Sequence, residues 1–332
     1  MSSDSTDAPL FDTACPIPGD WGPHRIPGLG GRLAVVTGGN TGLGLATARE
    51  LARAGADVVL AVRSTGRGAA AAADIRRAAP GSRVDVHRLD LADLASVADF
   101  ADRFLDEYPA LDLLINNAGI MTTRRSTTTD GFESQFGTNH LGHFALTGRL
   151  LPVLAAATAA RVVTVSSAAH ALGRLDFRDL QSKRRWGRLR AYGNSKLANL
   201  LFTAELDRRA GAAGLALRAY AVHPGYAATS LFTAGQPPLV RGLFALPGAV
   251  LAVRPLTGAL PTLCAATHPG LPGATFLGPR GAAGLRGAPA VVTPAPRARH
   301  RATAVRLWEV SQALTAVRYD FPSPAAVSDR PA

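Results

Sequence analysis

Short apolar segments of strand length alternate with segments of helix length over residues 33–222. Six strand-like segments can be read from the sequence: Leu33–Val36, Val58–Val62, Val84–Leu89, Leu111–Ile115, Val162–Val165 and Leu217–Val222. They are apolar on both faces, which is typical of parallel strands covered by helices on each side. The alternation therefore predicts an α/β fold of the Rossmann type with a doubly wound parallel sheet. In such sheets a ligand binds beyond the carboxyl ends of the strands.

Helical periodicity places helices between these strands and in the C-terminal third of the chain. The segments are Leu43–Ala54, Ala69–Ala79, Ala95–Tyr108, a helix through Asn139 and Leu150, a helix beginning near Tyr192, Thr257–Thr267 and Ala302–Leu314. We expect residues 1–30 to form an N-terminal arm, residues 31–320 to form a single domain, and residues 321–332 to be a disordered tail.

The composition excludes several classes of protein. The chain has 332 residues and is 47% hydrophobic, so it can bury a sizeable core. Its two cysteines, Cys15 and Cys264, are too few for a disulfide framework or a structural zinc site. The sequence shows no secretory signal and no apolar run long enough to cross a bilayer, so we expect a cytoplasmic location.

Arginine carries almost all of the formal net charge of +12, because Lys183 and Lys196 are the only lysines among 36 basic residues. Two basic clusters stand out, one at residues 183–190 and one at Arg297–Arg301. Neither has the interleaving of aromatic residues that is typical of base-stacking surfaces. We therefore expect a solvated basic surface and no nucleic-acid partner.

A glycine-rich turn joins the first predicted strand to the first predicted helix. It reads Thr37-Gly38-Gly39-Asn40-Thr41-Gly42-Leu43-Gly44. Gly38 would allow a tight turn, Gly42 would let the backbone approach a pyrophosphate, and Gly44 would let the helix pack against the strand. The free N–H groups of the helix N-terminus add an anion-binding site. The turn predicts a dinucleotide site, and the alternative is an ordinary left-handed turn.

The residue after the second predicted strand bears on which dinucleotide is bound. Val62 is followed by Arg63, and no acidic residue lies at this turn. An acidic residue here would accept hydrogen bonds from a ribose hydroxyl, whereas an arginine pairs with a phosphate. The sequence therefore predicts NADP(H) in preference to NAD(H). The alternative is that Arg63 is simply exposed in an arginine-rich chain.

Tyr192 and Lys196 are four residues apart in a segment predicted to be helical. Side chains at this spacing are neighbours on one face of a helix. An ammonium beside a phenol favours the phenolate and lowers the pKa of the phenol. Tyr192 would then be suited to exchange a proton with an alcohol oxygen. Taken alone, the pair could equally be a solvated surface pair.

Further motifs follow the predicted strands in a fixed order. They are Asp90-Leu91 after the third strand, Asn116-Asn117-Ala118-Gly119 after the fourth, Asn139 within Gly137–Phe144, Ser166-Ser167 at the end of the fifth, and Pro224-Gly225 with Thr229 after the sixth. Together with the Gly-x-x-x-Gly-x-Gly turn and the Tyr-x-x-x-Lys pair, they resemble the short-chain dehydrogenase/reductase family over roughly residues 31–230.

The resemblance implies a role for each motif. Tyr192 would be the general acid/base, and Ser167, in preference to Ser166, would hydrogen-bond the substrate oxygen. Lys196 would hold the nicotinamide ribose and lower the pKa of Tyr192, and Asn139 would anchor a water that links Lys196 to solvent. The implied cofactor contacts are Gly38, Asn40, Thr41, Gly42, Leu43, Gly44, Arg63, Asp90, Leu91, Asn117, Ala118, Gly119, Tyr192, Lys196, Pro224, Gly225 and Thr229. The implied reaction is the NADP(H)-dependent interconversion of a carbonyl and an alcohol on an apolar small molecule.

Three segments resemble the retinol-dehydrogenase-like and WW-domain-oxidoreductase-like members of the family: Arg32–Arg63, Asp176–Gln181 and Leu307–Thr315. Gly39 departs from the alanine or serine that is usual there, and neither a membrane anchor nor a WW module is seen before the domain. Leu231–Val253 is apolar but interrupted by prolines and glycine. We expect it to be a lid over the substrate, with a surface for association as the alternative.

Three other functions can be weighed against the sequence: metal binding, nucleotide sensing without turnover, and epimerase or dehydratase activity. His140 and His143 are three residues apart, but no acidic partner accompanies them, so we expect packing roles and no metal site. One alternative is a nucleotide-sensing binding protein of the same fold without turnover, and another is an epimerase or dehydratase. The presence of both Tyr192 and Lys196 favours an enzyme, and the Gly-x-x-Gly-x-x-Gly turn typical of the epimerase group does not occur. By analogy we expect a homodimer or homotetramer.

Overall fold

The computed structural model describes residues 10–13, 15–122, 124–225, 254–281, 284 and 286–321. Their strands form one sheet with the order β3-β2-β1-β4-β5-β6-β7-β8. The strands are β1 (Leu33–Thr37), β2 (Asp57–Val62), β3 (Val84–Arg88), β4 (Leu113–Asn116), β5 (Ala160–Val165), β6 (Leu217–Val222), β7 (Phe276–Pro279) and β8 (Pro289–Val291). All neighbours are parallel except β7 and β8, which are antiparallel. The predicted doubly wound parallel sheet is confirmed.

β7 and β8 were not predicted from the sequence. β8 has only three residues, and β7 has four, including Gly278 and Pro279. Segments this short show no measurable periodicity, and glycine and proline are depleted in strands. Pairing decides these strands instead: β7 adds to the edge of β6 in parallel register, and β8 then turns back along β7.

Helices cover both faces of the sheet. They are α1 (Gly42–Arg53), α2 (Thr65–Ala78), α3 (Leu94–Glu107), α4 (Ser134–Phe136), α5 (Gly142–Arg149), α6 (Leu151–Ala156), α7 (Arg188–Ala212), α8 (Pro255–Thr267) and α9 (Arg301–Thr315). The predicted helix through Asn139 is divided, because a π-helical turn at Gly137–Leu141 lies between α4 and α5. The helix predicted to begin near Tyr192 is α7, which begins one turn earlier, at Arg188.

Two apolar clusters hold the helices to the sheet. Within β1, Val35 faces the cluster that contains Phe104 and Trp308, whereas Val36 faces the cluster that contains Leu51. This alternation follows from the period of two in a strand, and it explains why the strands are apolar on both faces. Helices of both layers therefore anchor the carboxyl ends of the strands in fixed positions.

The described part of the N-terminal segment packs against the domain. Phe11, Ile17, Trp21 and Leu29 are buried, and Phe11 contacts the ring of Phe276 in β7. Apolar burial on this scale holds the segment along the sheet. The predicted lid, Thr229 and the tail beyond residue 321 lie outside the described residues. Among the helices in the described ranges, none is both long enough and apolar enough to cross a bilayer.

Candidate active site

A cleft of about 480 Å³ opens at the carboxyl ends of β1, β2, β4, β5 and β6. It is lined by these residues that the sequence predicted: Gly38, Asn40, Thr41, Gly42, Leu43, Gly44, Arg63, Asp90, Leu91, Asn117, Ala118, Gly119, Ser167, Tyr192, Lys196, Pro224 and Gly225. The structure thus brings together side chains from positions spread over nearly 190 residues. This is the position at which an open parallel sheet binds its ligand.

The glycine turn has the geometry that an anionic ligand requires. Gly38 and Gly42 have φ of +64° and +57°, and a Cβ on Gly42 would meet nothing within 4 Å. A Cβ on Gly44 would stand 2.5 Å from the Gly38 carbonyl oxygen, so α1 can lie against the turn only because residue 44 is glycine. No side chain caps the N-terminus of α1 at Thr41. These residues fit a pyrophosphate at the helix N-terminus.

Thr37, the last residue of β1, holds the loop after β4 in place. Its Oγ1 accepts hydrogen bonds from the backbone N–H groups of Asn117 and Ala118, both at 2.9 Å. The Asn117 side chain donates to the Thr37 carbonyl at 2.8 Å. The glycine turn and the Asn117–Gly119 loop are therefore one rigid wall of the cleft.

His143 holds this wall in place through polar contacts of both ring nitrogens. Its Nδ1 lies 3.1 Å from the Asn139 carbonyl oxygen and its Nε2 lies 2.9 Å from Thr37 Oγ1. Burial lowers the pKa of His143 to about 4, so the ring is neutral at physiological pH and donates only through one nitrogen. His140 instead lies 2.9 Å from Ser311 in α9. Within the described residues, no group of three potential ligands could hold a metal ion.

Tyr192 and Lys196 both lie on the buried side of α7 and both line the cleft. The Lys196 ammonium stands 5.6 Å from the centroid of the Tyr192 ring. It donates a hydrogen bond to the Val165 carbonyl, at the end of β5, at 3.0 Å. The pair is thus a buried feature of the cleft, and the alternative of a solvated surface pair is wrong.

The expected lowering of the Tyr192 pKa does not occur in the chain alone. Burial raises the pKa of Tyr192 to about 12, while a side-chain hydrogen bond with Ser167 opposes the rise. Burial also lowers the pKa of Lys196 to about 8. Removal from water penalises the phenolate, and the ammonium is directed at Val165 rather than at the phenol. Tyr192 therefore carries its proton at neutral pH.

The two serines at the end of β5 have different surroundings. Ser166 is buried, and its Oγ donates to the Lys196 carbonyl at 2.8 Å. Ser167 lines the cleft, interacts with Tyr192, and accepts a hydrogen bond from Ala169 N–H at 3.2 Å. Ser167 is therefore the serine whose hydroxyl faces the cleft beside Tyr192, whereas the proton of Ser166 is committed to the helix backbone.

Asn139 links the loop after β4 to α7. Its Oδ1 accepts from Ile120 N–H at 2.8 Å, and its Nδ2 lies 3.0 Å from both the Ile120 carbonyl and Ser195 Oγ. Ser195 lies between Tyr192 and Lys196 in sequence, so Asn139 fixes the helix that carries the pair. The π-helical turn aims the Asn139 side chain here, a detail that helical periodicity does not reveal.

Several residues that line the cleft were not singled out in the sequence. They are Ala61, Ser64, Arg67, Leu89, Ile120, Thr138, Val165, Ala168, Ala169 and Gly284. Arg67 is the most informative, because it follows Arg63 by four residues and both arginines line the same end of the cleft. The available signal was its position in the first turn of the helix that follows Arg63. Two guanidinium groups at this end fit a phosphate on the adenosine ribose.

Comparison with known proteins identifies the relatives of this chain. A family model for short chain dehydrogenases matches residues 32–237. Mouse (Mus musculus) retinol dehydrogenase 12 is 53% identical over 201 residues, which are 60% of this chain and 62% of that protein. The bovine (Bos taurus) retinol dehydrogenase 12 is 42% identical over 293 residues, which are 88% of this chain and 89% of that protein.

Solved structures agree with these relatives. An uncharacterized protein from Mycobacterium Paratuberculosis is 46% identical with a TM-score of 0.76, and the match covers 90% of this chain and 98% of that one. A Pseudomonas aeruginosa RhlG/NADP active-site complex is 25% identical with a TM-score of 0.59, covering 75% of this chain and 94% of that one. The family match, the sheet order and the cleft agree, and the chain belongs to the short-chain dehydrogenase family.

Proposed function

We propose that this protein is an NADP(H)-dependent oxidoreductase that interconverts an alcohol and a carbonyl on an apolar small molecule. The observation that carries the proposal is the contact of Tyr192 with Ser167 in the cleft that the glycine turn also lines. A proton donor and a second hydroxyl meet there beside a site that fits a dinucleotide. This arrangement can stabilise negative charge that develops on a substrate oxygen.

The residues of the chain divide the work at the substrate oxygen. A bound nicotinamide dinucleotide would supply or accept the hydride. Tyr192, whose pKa of about 12 keeps it protonated, would donate its proton to a carbonyl oxygen in the reducing direction. Ser167 would donate a second hydrogen bond to the same oxygen. Lys196, held by the Val165 carbonyl, would place a positive charge beside the ribose and favour the phenolate that remains.

The preference for NADP(H) rests on the end of the cleft beside α2. Arg63 and Arg67 both line it, and Arg63 and Ser64 follow β2 where a NAD-type site would carry an acidic residue. Both arginines are exposed, so a phosphate could approach them without displacing packed side chains. A structural relative, the Pseudomonas aeruginosa protein, is a complex with NADP, and this supports the choice of the same cofactor for this chain.

We propose a retinoid or a similar polyene as the substrate class. The mouse and bovine relatives are named as retinol dehydrogenases, and the match extends over 89% of the bovine protein. Ile120, Ala168 and Ala169 give the cleft an apolar wall next to Tyr192. Such a wall would bind a hydrocarbon chain while Tyr192 and Ser167 bind its terminal oxygen.

Turnover with a matched tyrosine pair tests the proposed function. The chain is mixed with NADPH and with retinal, aliphatic or aromatic aldehydes, and the loss of NADPH absorbance is followed. Tyr192→Phe should lower turnover by about 10²- to 10⁴-fold and leave NADPH binding, measured by fluorescence, nearly unchanged. Tyr108→Phe removes a hydroxyl that bonds Asp85, away from the cleft, and should retain activity.

Two results would contradict the proposal. Full activity of Tyr192→Phe would remove the assigned acid/base. NADPH binding without oxidation of NADPH by any aldehyde would instead support the nucleotide-sensing alternative. Oxidation of NADPH with aliphatic aldehydes but not with retinal would keep the reaction and reject the retinoid class.

A further inference from the structure

One arginine from each of the two basic clusters, Arg190 and Arg297, lines an open surface cavity of about 660 Å³. Its arginines come from three parts of the chain and are Arg174, Arg178, Arg190, Arg297 and Arg306. Leu172, Leu175, Asp176 and Phe177 complete the lining. We call this group the arginine cavity. It lies outside the cleft described above and shares no lining residue with it.

The positive charge of the arginine cavity is largely uncompensated. Arg178 pairs with Asp176 at 3.4 Å, and none of the other four arginines has a carboxylate within ion-pair distance among the described residues. Arg306 lies 4.3 Å above the ring of Phe177, and Arg297 reaches the Gly173 carbonyl at 3.5 Å. All five guanidinium side chains belong to exposed residues. This surface therefore attracts anions.

Exposed leucines accompany these charges. Leu172 and Leu189 are 61% and 56% exposed, and within the described ranges only one other large apolar side chain, Leu256, is classed as exposed. Leu172 lines the arginine cavity. Leu189 is in the first turn of α7 and precedes Arg190, which lines the cavity. Exposed leucines therefore accompany the arginines: Leu172 is part of the lining, and Leu189 is next to Arg190 in the chain.

We propose that the arginine cavity, with Leu172 and Leu189, docks the protein on an anionic phospholipid bilayer. The arginines would bind acidic head groups, and the leucines would enter the interface between head groups and acyl chains. The combination of cations with protruding aliphatic side chains favours a bilayer over a nucleic acid. Leucine cannot stack on bases, and the one aromatic ring of the cavity, Phe177, is already covered by Arg306.

The docking face, which is the arginine cavity together with Leu172 and Leu189, is connected to the catalytic cleft through a short 3-10 helix. This helix, Ala168–Leu172, is capped by Ser167 at one end and finishes at exposed Leu172 at the other. A bilayer in contact with Leu172 would be separated by this one short helix from Ser167, whose hydroxyl is proposed to bind the substrate oxygen. Direct delivery of an apolar substrate from the bilayer rests on the proposed function, whereas the docking itself does not.

Sedimentation of the full chain with lipid vesicles tests the docking. The vesicles contain phosphatidylcholine alone or phosphatidylcholine with phosphatidylglycerol. We expect binding only to the acidic vesicles, weakened by added salt. The double substitution Arg297→Glu with Arg306→Glu should weaken binding about tenfold or more. Leu172→Gln with Leu189→Gln should weaken it as well, although the net charge is unchanged.

A control of equal charge distinguishes the face from the general basicity of the chain. Arg77→Glu with Arg103→Glu makes the same change in net charge on α2 and α3, beside β3, and should bind nearly as the unchanged chain does. Equal weakening by the control, equal binding to neutral vesicles, or binding of an oligonucleotide in place of vesicles would each overturn the proposal. The leucine variant decides the matter if the arginine variant does not fold. No readout depends on turnover, so failure here is distinct from failure of the proposed reaction.

Discussion

The Lys196 ammonium donates a hydrogen bond to the Val165 carbonyl at 3.0 Å and lies 5.6 Å from the Tyr192 ring centroid. The end of β5, not the phenol, therefore fixes the position of the ammonium. Asn199 Nδ2 also reaches the Val165 carbonyl, at 3.2 Å, so this oxygen keeps a partner without the lysine. A buried ammonium whose one hydrogen bond among the described residues is to the Val165 carbonyl lowers the stability of the fold, and we attribute its presence to function.

Replacing Lys196 should stabilise the fold. Burial lowers the pKa of Lys196 from 10.5 to about 8, so between these pH values the unfolded chain holds a proton that the folded chain has released. Stability attributable to this group therefore rises with pH over that interval, and the penalty is greatest below pH 8. Lys196→Met should raise the free energy of unfolding at pH 7 by up to about 3 kcal/mol while lowering turnover. Denaturant unfolding at a series of pH values measures the change in stability and its pH dependence, and a steady-state assay measures the loss of turnover. A variant that is less stable at pH 7 would contradict this account.

The two serines at the end of β5 should give opposite phenotypes. Ser167→Ala removes the hydroxyl that faces the cleft and should lower turnover by about 10²-fold, with little change in melting temperature. Ser166→Ala removes the hydrogen bond to the Lys196 carbonyl and should cost about 1 kcal/mol of stability, with turnover much less affected. Steady-state rates and unfolding curves of both variants check the assignment. It fails if Ser166→Ala is the more damaging to turnover.

The glycines of the turn should also separate by phenotype. At Gly44 an added Cβ would meet the Gly38 carbonyl oxygen and Asn117 Nδ2 at 2.5 Å, so Gly44→Ala should disrupt the turn and lower the melting temperature. At Gly42 the Cβ would enter open space, and only the φ of +57° is unfavourable. Gly42→Ala should cost about 1 kcal/mol of stability but weaken NADPH binding strongly, because its Cβ projects where the backbone must approach the pyrophosphate. Thermal unfolding and NADPH titration distinguish the two, and unchanged NADPH affinity in Gly42→Ala would refute the placement of the phosphates.

Charge reversal at Arg63 should change the choice of cofactor. Arg63→Asp replaces a cation that would pair with a ribose phosphate, and should weaken NADPH by about 10- to 100-fold. NADH should change little or improve, because the new carboxylate can accept hydrogen bonds from the ribose hydroxyl. Arg103→Asp on α3 is the control of equal charge. Equal losses for NADPH and NADH, measured by fluorescence titration, would show that Arg63 does not read the phosphate.

The local pattern of apolar residues was sufficient to predict most strands of the sheet. Apolar residues placed six of the eight strands, since burial on two sides leaves a strong signal in most of these segments and edge strand β3 still alternates valine with polar residues. It was insufficient for β7 and β8, whose existence depends on pairing with the edge of β6. It also missed the π-helical turn before α5, because a single widened turn leaves the apolar spacing nearly unchanged.

The order of residues along the chain determined which side chains would reach the cleft. Parallel strands deliver their carboxyl ends to one edge, so Gly42, Asn117, Ser167 and Tyr192 had to converge once the sheet formed. Only the tertiary structure decided the state of these groups. Desolvation by neighbours distant in sequence raises the pKa of Tyr192, and the direction of the Lys196 ammonium follows from a carbonyl at the end of β5. Such effects depend on which atoms surround a group in three dimensions, and this information is absent from the spacing of two residues on a helix.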